Sequence, residues 1–465
     1  MSLQFYNTIT RRKDKFNPIS KDIVKIYTCG PTVYDSAHIG NFRTFLFEDL
    51  LKRYLIFKGY DVYHVMNITD VDDKTIKRAK KDKKLFERLT SKYSDLFIKD
   101  LEFLKIIPAD VFPRATDHIE EMILMISKLV NNRIAYLSKD NSVYFKISED
   151  IDYGRLANLN LSDLKSTDRV INDEYSKDNP QDFSLWKSWD AEDGDIFWDS
   201  PWGRGRPGWH IECSAMSIKY LGEHFDIHCG GVDNIFPHHE NELAQSISAT
   251  NGPFVNYWMH SEHLQIKDSK MSKTNGNFYT ISDLISEGFL AEEIRFVMLS
   301  AHYRTKLSFS IEQCLEARTT IQRIAGLYNR LVNITNSDSS KIKLPYEFQD
   351  FVLALDNDLD TPKALAIFFT WLRSMNKKLD LDNNKNINEE DINGAIKFLN
   401  KVDSIFGFLI KENPIPEKIY SLVADREQFR KMEDWSSADQ VRDEIYSLGW
   451  IVEDASEGPI IKPKK

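Results

Sequence analysis

The chain has 465 residues, with 61 Lys and Arg against 71 Asp and Glu, so its formal net charge is −10. This acidic balance argues against a protein that coats nucleic acid through bulk charge, although it leaves room for a local basic face. Hydrophobic residues at 42% exclude wholesale disorder, and the longest apolar run, residues 364–372, is too short to cross a membrane.

The first part of the chain is typical of a strand–helix–strand unit. Residues 23–29 are β-branched and aromatic, and Gly30 and Pro31 end the predicted strand. Residues 38–58 carry apolar side chains at helical spacing, and residues 61–68 form a second predicted strand. Short joins between such elements favour a parallel α/β sheet.

Helical periodicity dominates the later chain. Strand-like residues return at 225–229, but from about residue 311 apolar side chains recur every three or four positions and glycine becomes scarce, which predicts a helical bundle. A loop is expected at 383–392. Residues 423–448 read as two charged amphipathic helices, and a tail follows them.

The cysteines carry no sign of export. No apolar segment precedes the charges of residues 1–15, so no secretory signal is expected. The four cysteines lie far apart and form no disulfide framework. We therefore expect a cytoplasmic protein, in which clustered Cys and His are more often metal ligands or catalytic groups.

A first candidate site lies where the first strand gives way to the helix, at His38-Ile39-Gly40-Asn41. A helix N-terminus offers free N–H groups and a positive dipole end, which suit a phosphate or an adenine nucleotide. His38 can donate to phosphate oxygens, and Gly40 leaves space for a nucleobase. Taken alone, the tetrapeptide is better explained as a surface histidine and a packing glycine.

A second candidate site is the sequence KMSKT at 270–274. The ammonium groups of Lys270 and Lys273 suit the charge that develops on a departing pyrophosphate. A lone loop of this kind is usually solvated surface. HIGN in an early strand–helix–strand unit together with a much later KMSKT is far more specific than either motif.

Candidate metal ligands are concentrated after residue 208. Pro237 is consistent with a helix start, and on that helix His238 and Glu242 share one face. Zinc accepts Cys, His and carboxylate ligands in a tetrahedron. A site that uses Cys213, His238 and Glu242 with a second thiol is therefore chemically sound.

Several residues compete for the remaining ligand position. Cys29 ends the first predicted strand, near the edge where an open α/β sheet binds its ligands. Cys229 and His239 stay plausible on spacing alone. Cys314 is better explained as a small buried apolar residue.

Together, five segments resemble the cysteinyl-tRNA synthetase family of class I aminoacyl-tRNA synthetases, and the resemblance covers essentially the whole chain. The family's HIGH signature ends here in Asn41 and its KMSKS in Thr274, which are mild departures. The segments GRPGWHIECSAM (205–216) and FDIHCGGVDNIFPHHENELAQS (225–246) are highly specific to this family. The segments are YTCGPTVYDSAHIGN (27–41), NITDVDDK (67–74), GRPGWHIECSAM (205–216), FDIHCGGVDNIFPHHENELAQS (225–246) and KMSKTNGNF (270–278).

The resemblance implies an α/β fold: a class I Rossmann-type parallel-sheet catalytic domain with a connective insertion, then an all-α helical bundle and a small C-terminal domain. The expected divisions are the first catalytic half at 1–115, the insertion at 116–200, the second catalytic half with the zinc ligands and KMSKT at 201–310, a tRNA-binding bundle at 311–400 and an anticodon-end domain at 401–465.

The resemblance also implies roles for individual residues. It leaves Cys229 as a packing residue or a neighbour of the zinc ligands. The implied zinc ligands are Cys29, Cys213, His238 and Glu242. The implied ATP-binding residues are His38, Gly40, Asn41, Lys270, Ser272 and Lys273, of which His38, Lys270 and Lys273 are catalytic. The implied cysteine pocket is Gly30, Thr32, Thr69, Trp209, His228 and Asp233.

The activity that follows is that of a cysteine–tRNA ligase. L-cysteine and ATP give cysteinyl-adenylate and pyrophosphate, and the 3′ end of tRNA(Cys) then takes the cysteinyl group. One Zn²⁺ per chain would recognise the thiolate, since a serine hydroxyl is a poor ligand, and Mg²⁺ would accompany ATP. A monomer without membrane contact is expected.

Two alternatives remain at the level of sequence. A cysteine ligase of the same adenylate-forming family could use a small amine acceptor, but the ordered helical patterns of residues 311–465 favour tRNA. A zinc-dependent RNA-binding protein without catalysis is disfavoured by intact His38, Lys270 and Lys273.

A tRNA partner requires an uneven distribution of the acidic total. Residues 74–84 hold seven basic side chains and one acidic side chain, and Arg318, Arg323 and Arg330 are spaced along one predicted helix. Residues 411–465 hold 9 basic and 12 acidic side chains. Contacts there should depend on hydrogen bonds and stacking, with a modest salt dependence.

Overall fold

The structure is a computed structural model that describes residues 2–159, 181–266, 279–335, 342–381, 387–410, 417–455 and 458–463. It divides into two units, Met1–Ile410 and Lys411–Lys465, and each is described by itself. The KMSKT motif at 270–274 lies outside the described residues. None of the helices in the described ranges is long and apolar enough to cross a membrane.

The elements of the larger unit include both strands and helices up to β12, and those in its described residues are helical afterwards. In chain order they are β1 Gln4–Asn7, β2 Arg12–Lys15, β3 Ile23–Thr28, α1 Ile39–Phe57, β4 Asp61–Met66, α2 Asp73–Arg78, α3 Lys83–Phe103, α4 Ile119–Asn131, β5 Ala135–Leu137, β6 Val143–Phe145, β7 Phe183–Ser188, β8 Gly205–Pro207, α5 Trp209–Leu221, β9 Phe225–Gly231, α6 Glu240–Thr250, β10 Val255–Ser261, β11 Leu264–Ile266, α7 Ile281–Ser286, α8 Ala291–Ser300, β12 Leu307–Phe309, α9 Ile311–Ile334, α10 Glu347–Asp356, α11 Thr361–Leu381 and α12 Glu389–Phe406.

A parallel sheet of four strands in the order β10–β9–β3–β4 organises the part of the larger unit that precedes the bundle. The predicted strand–helix–strand unit is confirmed as β3, α1 and β4. Helix α1 ends before Gly59, which has a φ of +92° that suits a residue without a side chain. Because all four strands run the same way, their carboxyl ends meet at one edge, where an open α/β sheet binds its ligands.

A second sheet, antiparallel in the order β5–β6–β7–β8, is formed by residues that lie between β4 and β9 along the chain. It is tied to the first half through Arg206 on β8, whose buried guanidinium pairs with Asp73 at the start of α2 and with Asp193. Lys187 on β7 also pairs with Asp73, at 3.0 Å. These ion pairs hold the start of helix α2 against the second sheet.

The predicted helical bundle is confirmed as α9 to α12. Its core is continuous with that of the preceding part of the larger unit, because buried residues of α1, α8 and the bundle belong to one apolar cluster. The loop expected at 383–392 is partly wrong. Helix α12 begins at Glu389, because the side chain of Asn388 accepts a hydrogen bond from the Asp391 N–H at 2.8 Å and caps its first turn.

The smaller unit contains two helices and a β-hairpin: α13 Glu417–Lys431, α14 Trp435–Ser447, β13 Trp450–Ala455 and β14 Gly458–Pro463. The two helices confirm the prediction for residues 423–448. The expected tail is wrong, because β13 and β14 pair in antiparallel register. The unit has its own small apolar core, formed by Ile419, Val423, Ile445, Trp450 and Val452.

Candidate active site

One cavity of about 520 Å³ lies at the carboxyl edge of the parallel sheet. It brings together residues that the sequence placed in three separate sites: nucleotide binding, metal binding and amino-acid binding. Lys74 of α2 also reaches it. The predicted residues that line this cavity are Cys29, Gly30, Thr32, His38, Gly40, Asn41, Thr69, Trp209, Cys213, Asp233 and His238.

The signature motif forms a reciprocal cap at the start of α1. The Asn41 N–H donates to Nδ1 of His38 at 3.3 Å, and the His38 N–H donates to Oδ1 of Asn41 at 3.1 Å. This capping box satisfies two amide groups at the helix N-terminus and fixes the imidazole ring. Asn41, the departure from the family's HIGH, therefore has a structural role.

The floor of the cavity depends on a close approach between two strands. A Cβ on Gly30 would lie 1.7 Å from the carbonyl oxygen of Asn67, so only glycine fits. The Gly30 N–H donates to Oδ1 of Asn67 at 3.1 Å, and a parallel bridge between Thr32 and Thr69 continues the pairing of β3 with β4 into the cavity.

The candidate metal ligands converge from three elements. Nε2 of His238 lies 3.0 Å from Oε1 of Glu242, as the i, i+4 prediction requires. Sγ of Cys29 lies 3.9 Å from the same oxygen and 4.0 Å from Sγ of Cys213. Thiol, imidazole and carboxylate groups at this spacing are a donor set that a divalent transition metal accepts.

The structure adds His239 to this cluster. Its Nε2 lies 3.3 Å from Sγ of Cys29, and the group whose ligand atoms all lie within 4.8 Å of one another is Cys29, His238, His239 and Glu242. Cys213 stands beside this group, next to Cys29. The described geometry thus offers two candidates, Cys213 and His239, for one ligand position.

Burial favours the uncharged form of each of these groups. Desolvation raises the pKa of Cys29 well above its usual value and that of Glu242 to about 7. It lowers the pKa of His238 to about 3. A divalent cation would reverse this preference for the thiol and the carboxyl group, which bind metals as anions, and it would leave the imidazole neutral.

A chain of hydrogen bonds runs away from His239. Its Nδ1 lies 2.8 Å from Nε2 of His260, and Nδ1 of His260 lies 2.7 Å from Oγ1 of Thr8. Such contacts behind an imidazole orient its ring and fix which nitrogen carries the proton. Sequence reasoning missed His260 and Thr8, which belong to none of the five segments that carry the resemblance.

Other predicted residues have distinct positions. Trp209 stacks on His238 with ring centroids 4.3 Å apart, so it forms a wall of the cavity beside the candidate metal ligands. His228 is not among the described residues that line the cavity. It stacks on Trp258, and its Nε2 bonds Oε2 of Glu242 at 2.9 Å. Lys270, Ser272 and Lys273 lie outside the described residues. Cys229 is buried in the apolar core.

His210, which the sequence analysis did not select, also contacts the cluster. Its Nδ1 lies 2.9 Å from Nδ1 of His238. The sequence does contain a signal for His210, because this residue lies three positions before Cys213 on α5 and so shares a helix face with it.

The basic residues singled out along the bundle differ in their contacts. Arg318 pairs with Glu293 at 2.6 Å, and Arg330 pairs with Asp380 at 2.8 Å. No ion pair is found for Arg323 within the described ranges. Of these three arginines, Arg323 therefore keeps its charge available for a partner.

Comparison with known proteins identifies the family to which the chain belongs. The model of the class I (C) tRNA synthetase catalytic domain matches residues 15–319, and the DALR domain model matches residues 350–410. Cysteine–tRNA ligase of Chlamydia trachomatis serovar A is 47% identical over 476 residues, covering 99% of this chain and all of the relative. That of Brachyspira hyodysenteriae is 46% identical over 469 residues, covering 98% of each.

Solved structures support the same fold. Mycobacterium tuberculosis methionyl-tRNA synthetase in complex with methionyl-adenylate superposes with a TM-score of 0.63 at 15% identity, covering 83% of this chain and 92% of that one. Its low identity supports the fold alone, whereas the curated relatives extend over the full chain. The chain therefore belongs to the cysteine–tRNA ligase family of class I tRNA synthetases.

Proposed function

We propose that this chain activates L-cysteine with ATP and transfers the cysteinyl group to the 3′ end of tRNA(Cys). The observation that carries the proposal is the single cavity that contains the His38 helix end, the thiol–imidazole cluster and the Thr32–Thr69 edge. ATP, amino acid and a metal would therefore share one space, as adenylate formation requires.

The chemistry requires positioning and charge stabilisation. The carboxylate of cysteine is already a nucleophile, so it attacks the α-phosphate of ATP without a general base. His38, held by Asn41, would stabilise the charge that develops on the phosphate, and Gly40 would let the nucleotide approach the helix end. Lys270 and Lys273 are proposed to act on the pyrophosphate, with Mg²⁺ bound to ATP and Ser272 beside them.

We further propose that the cluster of Cys29, Cys213, His238 and Glu242 holds one Zn²⁺. When bound, zinc supplies a strong ligand position for a substrate thiolate and a weak one for a hydroxyl, which separates cysteine from serine. Trp209 would enclose the substrate side chain, while Gly30, Thr32, Thr69 and Asp233 line its path. His228 would hold the Glu242 carboxylate in position through the hydrogen bond between its Nε2 and Oε2 of Glu242.

The domain roles remain part of the proposal. Residues 116–200 would be a connective insertion, the bundle at 311–400 would contact tRNA, and residues 401–465 would reach its anticodon end. The protein would work as a monomer in the cytoplasm. A small amine acceptor is not favoured, because the curated tRNA ligases match the chain along its full length.

The test is cysteine-dependent exchange of pyrophosphate into ATP, followed by charging of a tRNA(Cys) transcript. Exchange with cysteine, little exchange with serine, and charging are expected. Exchange without charging would favour the small-acceptor ligase. Absence of cysteine-dependent exchange would overturn both.

A further inference from the structure

One basic side chain in the active-site cavity has no role in the proposed function. Lys74 of α2 lines this cavity, and it is the one Lys or Arg among the described residues that do so. The acidic residues Asp233 and Glu262 line the same space. Bound ATP would bring a triphosphate of high negative charge here, so the described wall of the cavity offers that charge a single ammonium group.

The backbone of Lys74 is held in place by the residues around it. Oδ1 of Asp72 accepts a hydrogen bond from the Lys74 N–H at 2.7 Å, and the Asp72 N–H donates to Oγ1 of the buried Thr75 at 2.9 Å. Between them, the carboxylate of Asp73 pairs with the guanidinium of Arg206 on the second sheet. The Lys74 side chain therefore extends from a fixed point at the start of α2.

An aromatic ring holds the ammonium group near two predicted subsites. Nζ of Lys74 lies 5.4 Å from the centroid of the Tyr34 ring, which is within the range of a cation–π contact. Tyr34 lies in the connection between β3 and α1, after Thr32 and before His38, both of which line the cavity. The ammonium group thus lies beside the segment where the proposed cysteine pocket meets the proposed nucleotide site.

The charge of Lys74 is available for a ligand. Its side chain is exposed, and it forms no ion pair within the part of the chain that the structure describes. Arg78, one turn later on α2, differs in both respects that matter. Its guanidinium lies 3.6 Å from Oδ2 of Asp35, and it is not among the described residues that line the cavity.

We propose that Lys74 is a further catalytic residue of adenylate formation, and that its ammonium group binds a phosphate oxygen of ATP. The proposal rests on the proposed function, which supplies ATP and cysteine. A carboxylate oxygen of cysteine forms a bond to the α-phosphorus, the bond from this phosphorus to the bridging oxygen breaks, and its electron pair leaves with pyrophosphate. Lys74 transfers no proton. It donates hydrogen bonds to oxygens on which negative charge grows, and this lowers the barrier.

The test measures cysteine-dependent exchange of pyrophosphate into ATP by the full chain with Lys74→Met, which removes the charge and keeps a long side chain. We expect kcat/KM for ATP to fall by about 100-fold, as for the loss of one preorganised donor to the transition state. The KM for cysteine should stay within about twofold of the wild-type value. Exchange needs no tRNA, so the result is independent of that partner.

Two variants control for position and for charge. Lys77→Met removes the other lysine of α2, which is exposed and is not among the described lining residues of the cavity. It should exchange pyrophosphate at the wild-type rate. Lys74→Arg keeps the positive charge and should recover most of the lost rate. Both methionine variants should melt at the wild-type temperature, because each replaces an exposed side chain.

The reverse reaction identifies the phosphate that Lys74 contacts. Preformed cysteinyl-adenylate on the enzyme is mixed with pyrophosphate, and the formation of ATP is followed. A higher KM for pyrophosphate in Lys74→Met assigns the contact to the leaving group. A lower rate at an unchanged KM assigns it to the α-phosphate. Both results support a phosphate oxygen of ATP as the ligand.

The inference is overturned if Lys74→Met and Lys77→Met both exchange pyrophosphate at the wild-type rate. It is also overturned if Lys74→Met raises only the KM for cysteine, since Lys74 would then bind the amino-acid carboxylate, or slows only the transfer to tRNA, since it would then bind the tRNA end. All three results leave the proposed function intact. A wild-type chain without cysteine-dependent exchange would defeat the proposed function instead.

Discussion

Arg295 on α8 donates from Nη2 to Oδ2 of Asp49 on α1 at 2.6 Å, and neither side chain is exposed to solvent. The same guanidinium donates to the carbonyl oxygens of Phe406 at 2.8 Å and of Leu104 at 2.9 Å. One buried cation thus joins the signature helix, the end of α12 and the end of α3. This network fixes α1 relative to the bundle.

Loss of this cation should destabilise the larger unit strongly. Arg295→Met removes one of the two cations that pair with the buried Asp49 carboxylate, which keeps Arg53 at 2.8 Å, and it leaves the carbonyl oxygens of Phe406 and Leu104 without their donor. We therefore expect the free energy of unfolding to fall by about 3 to 5 kcal/mol. Urea unfolding followed by tryptophan fluorescence measures it. Asp380→Asn, which breaks the exposed pair with Arg330, should cost at most about 1 kcal/mol. Equal midpoints for the two variants would contradict the buried network.

Metal analysis should discriminate between the two ligand candidates. We expect Cys213→Ser and Glu242→Ala to reduce the zinc content of the purified protein and to raise the KM for cysteine. His239→Gln should retain most of the zinc and lower its affinity by about 10- to 100-fold, as a residue that supports the ligands does. Inductively coupled plasma mass spectrometry measures the content.

The control for the metal experiment is Cys229→Ala, because Cys229 is a buried thiol in the apolar core. It should keep a full complement of zinc. If His239→Gln abolishes zinc binding while Cys213→Ser leaves it unchanged, the fourth ligand is His239 and the proposed ligand set is wrong.

The cap at His38 predicts a specific kinetic defect. Asn41→Ala removes the acceptor for the His38 N–H, which we expect to cost about 0.5 to 2 kcal/mol of helix stability and to lower the rate of pyrophosphate exchange. Asn41→His restores the family's HIGH ending and should retain exchange. If the alanine variant exchanges pyrophosphate at the wild-type rate, the cap does not orient His38 for catalysis.

Replacement of the buried Asp100 on α3 by a neutral residue is expected to increase stability at high pH but not at low pH. Burial raises the pKa of Asp100 from its usual 3.8 to about 6, so between these values the folded state holds a proton that the unfolded state has released. Stability is therefore lost as the pH rises through this window. Asp100→Asn should raise the melting temperature at pH 8 and leave it nearly unchanged at pH 3.5.

The exposed Asp95 on the same helix is the matched control. Asp95→Asn should not change the difference between the melting temperatures at the two pH values. A gain for Asp100→Asn of the same size at both pH values would indicate improved packing and would contradict the titration.

The elements that the sequence predicts well are those with local signals. Strand β3 ends at Thr28, two residues before Gly30, and helix α1 ends at Phe57, two residues before Gly59, so their ends follow from neighbouring residues. The spacing of His238 and Glu242 is also local. The hairpin of β13 and β14 was missed because its strands contain Glu453, Asp454, Pro459 and Pro463 among their apolar residues, and these residue types are depleted in strands.

The site beyond its motifs depends on contacts between distant parts of the chain. The contact of His239 with Cys29 joins residues 210 positions apart, and no periodicity reports it. The turn before α6 is also irregular, since Phe236 has φ −138° and ψ 132°, so helical spacing does not extend back through it. The choice between Cys213 and His239 is a three-dimensional question.

The position of α1 has a consequence for dissecting this protein. Besides Asp49, it presents Tyr54, whose hydroxyl donates to Oδ1 of Asp356 on α10 at 2.7 Å, and its apolar residues share one cluster with the bundle. A fragment cut near residue 310 would bare this surface to water. The adenylate-forming half is therefore not an excisable minimal enzyme, and any shortened version would need a redesigned surface along α1.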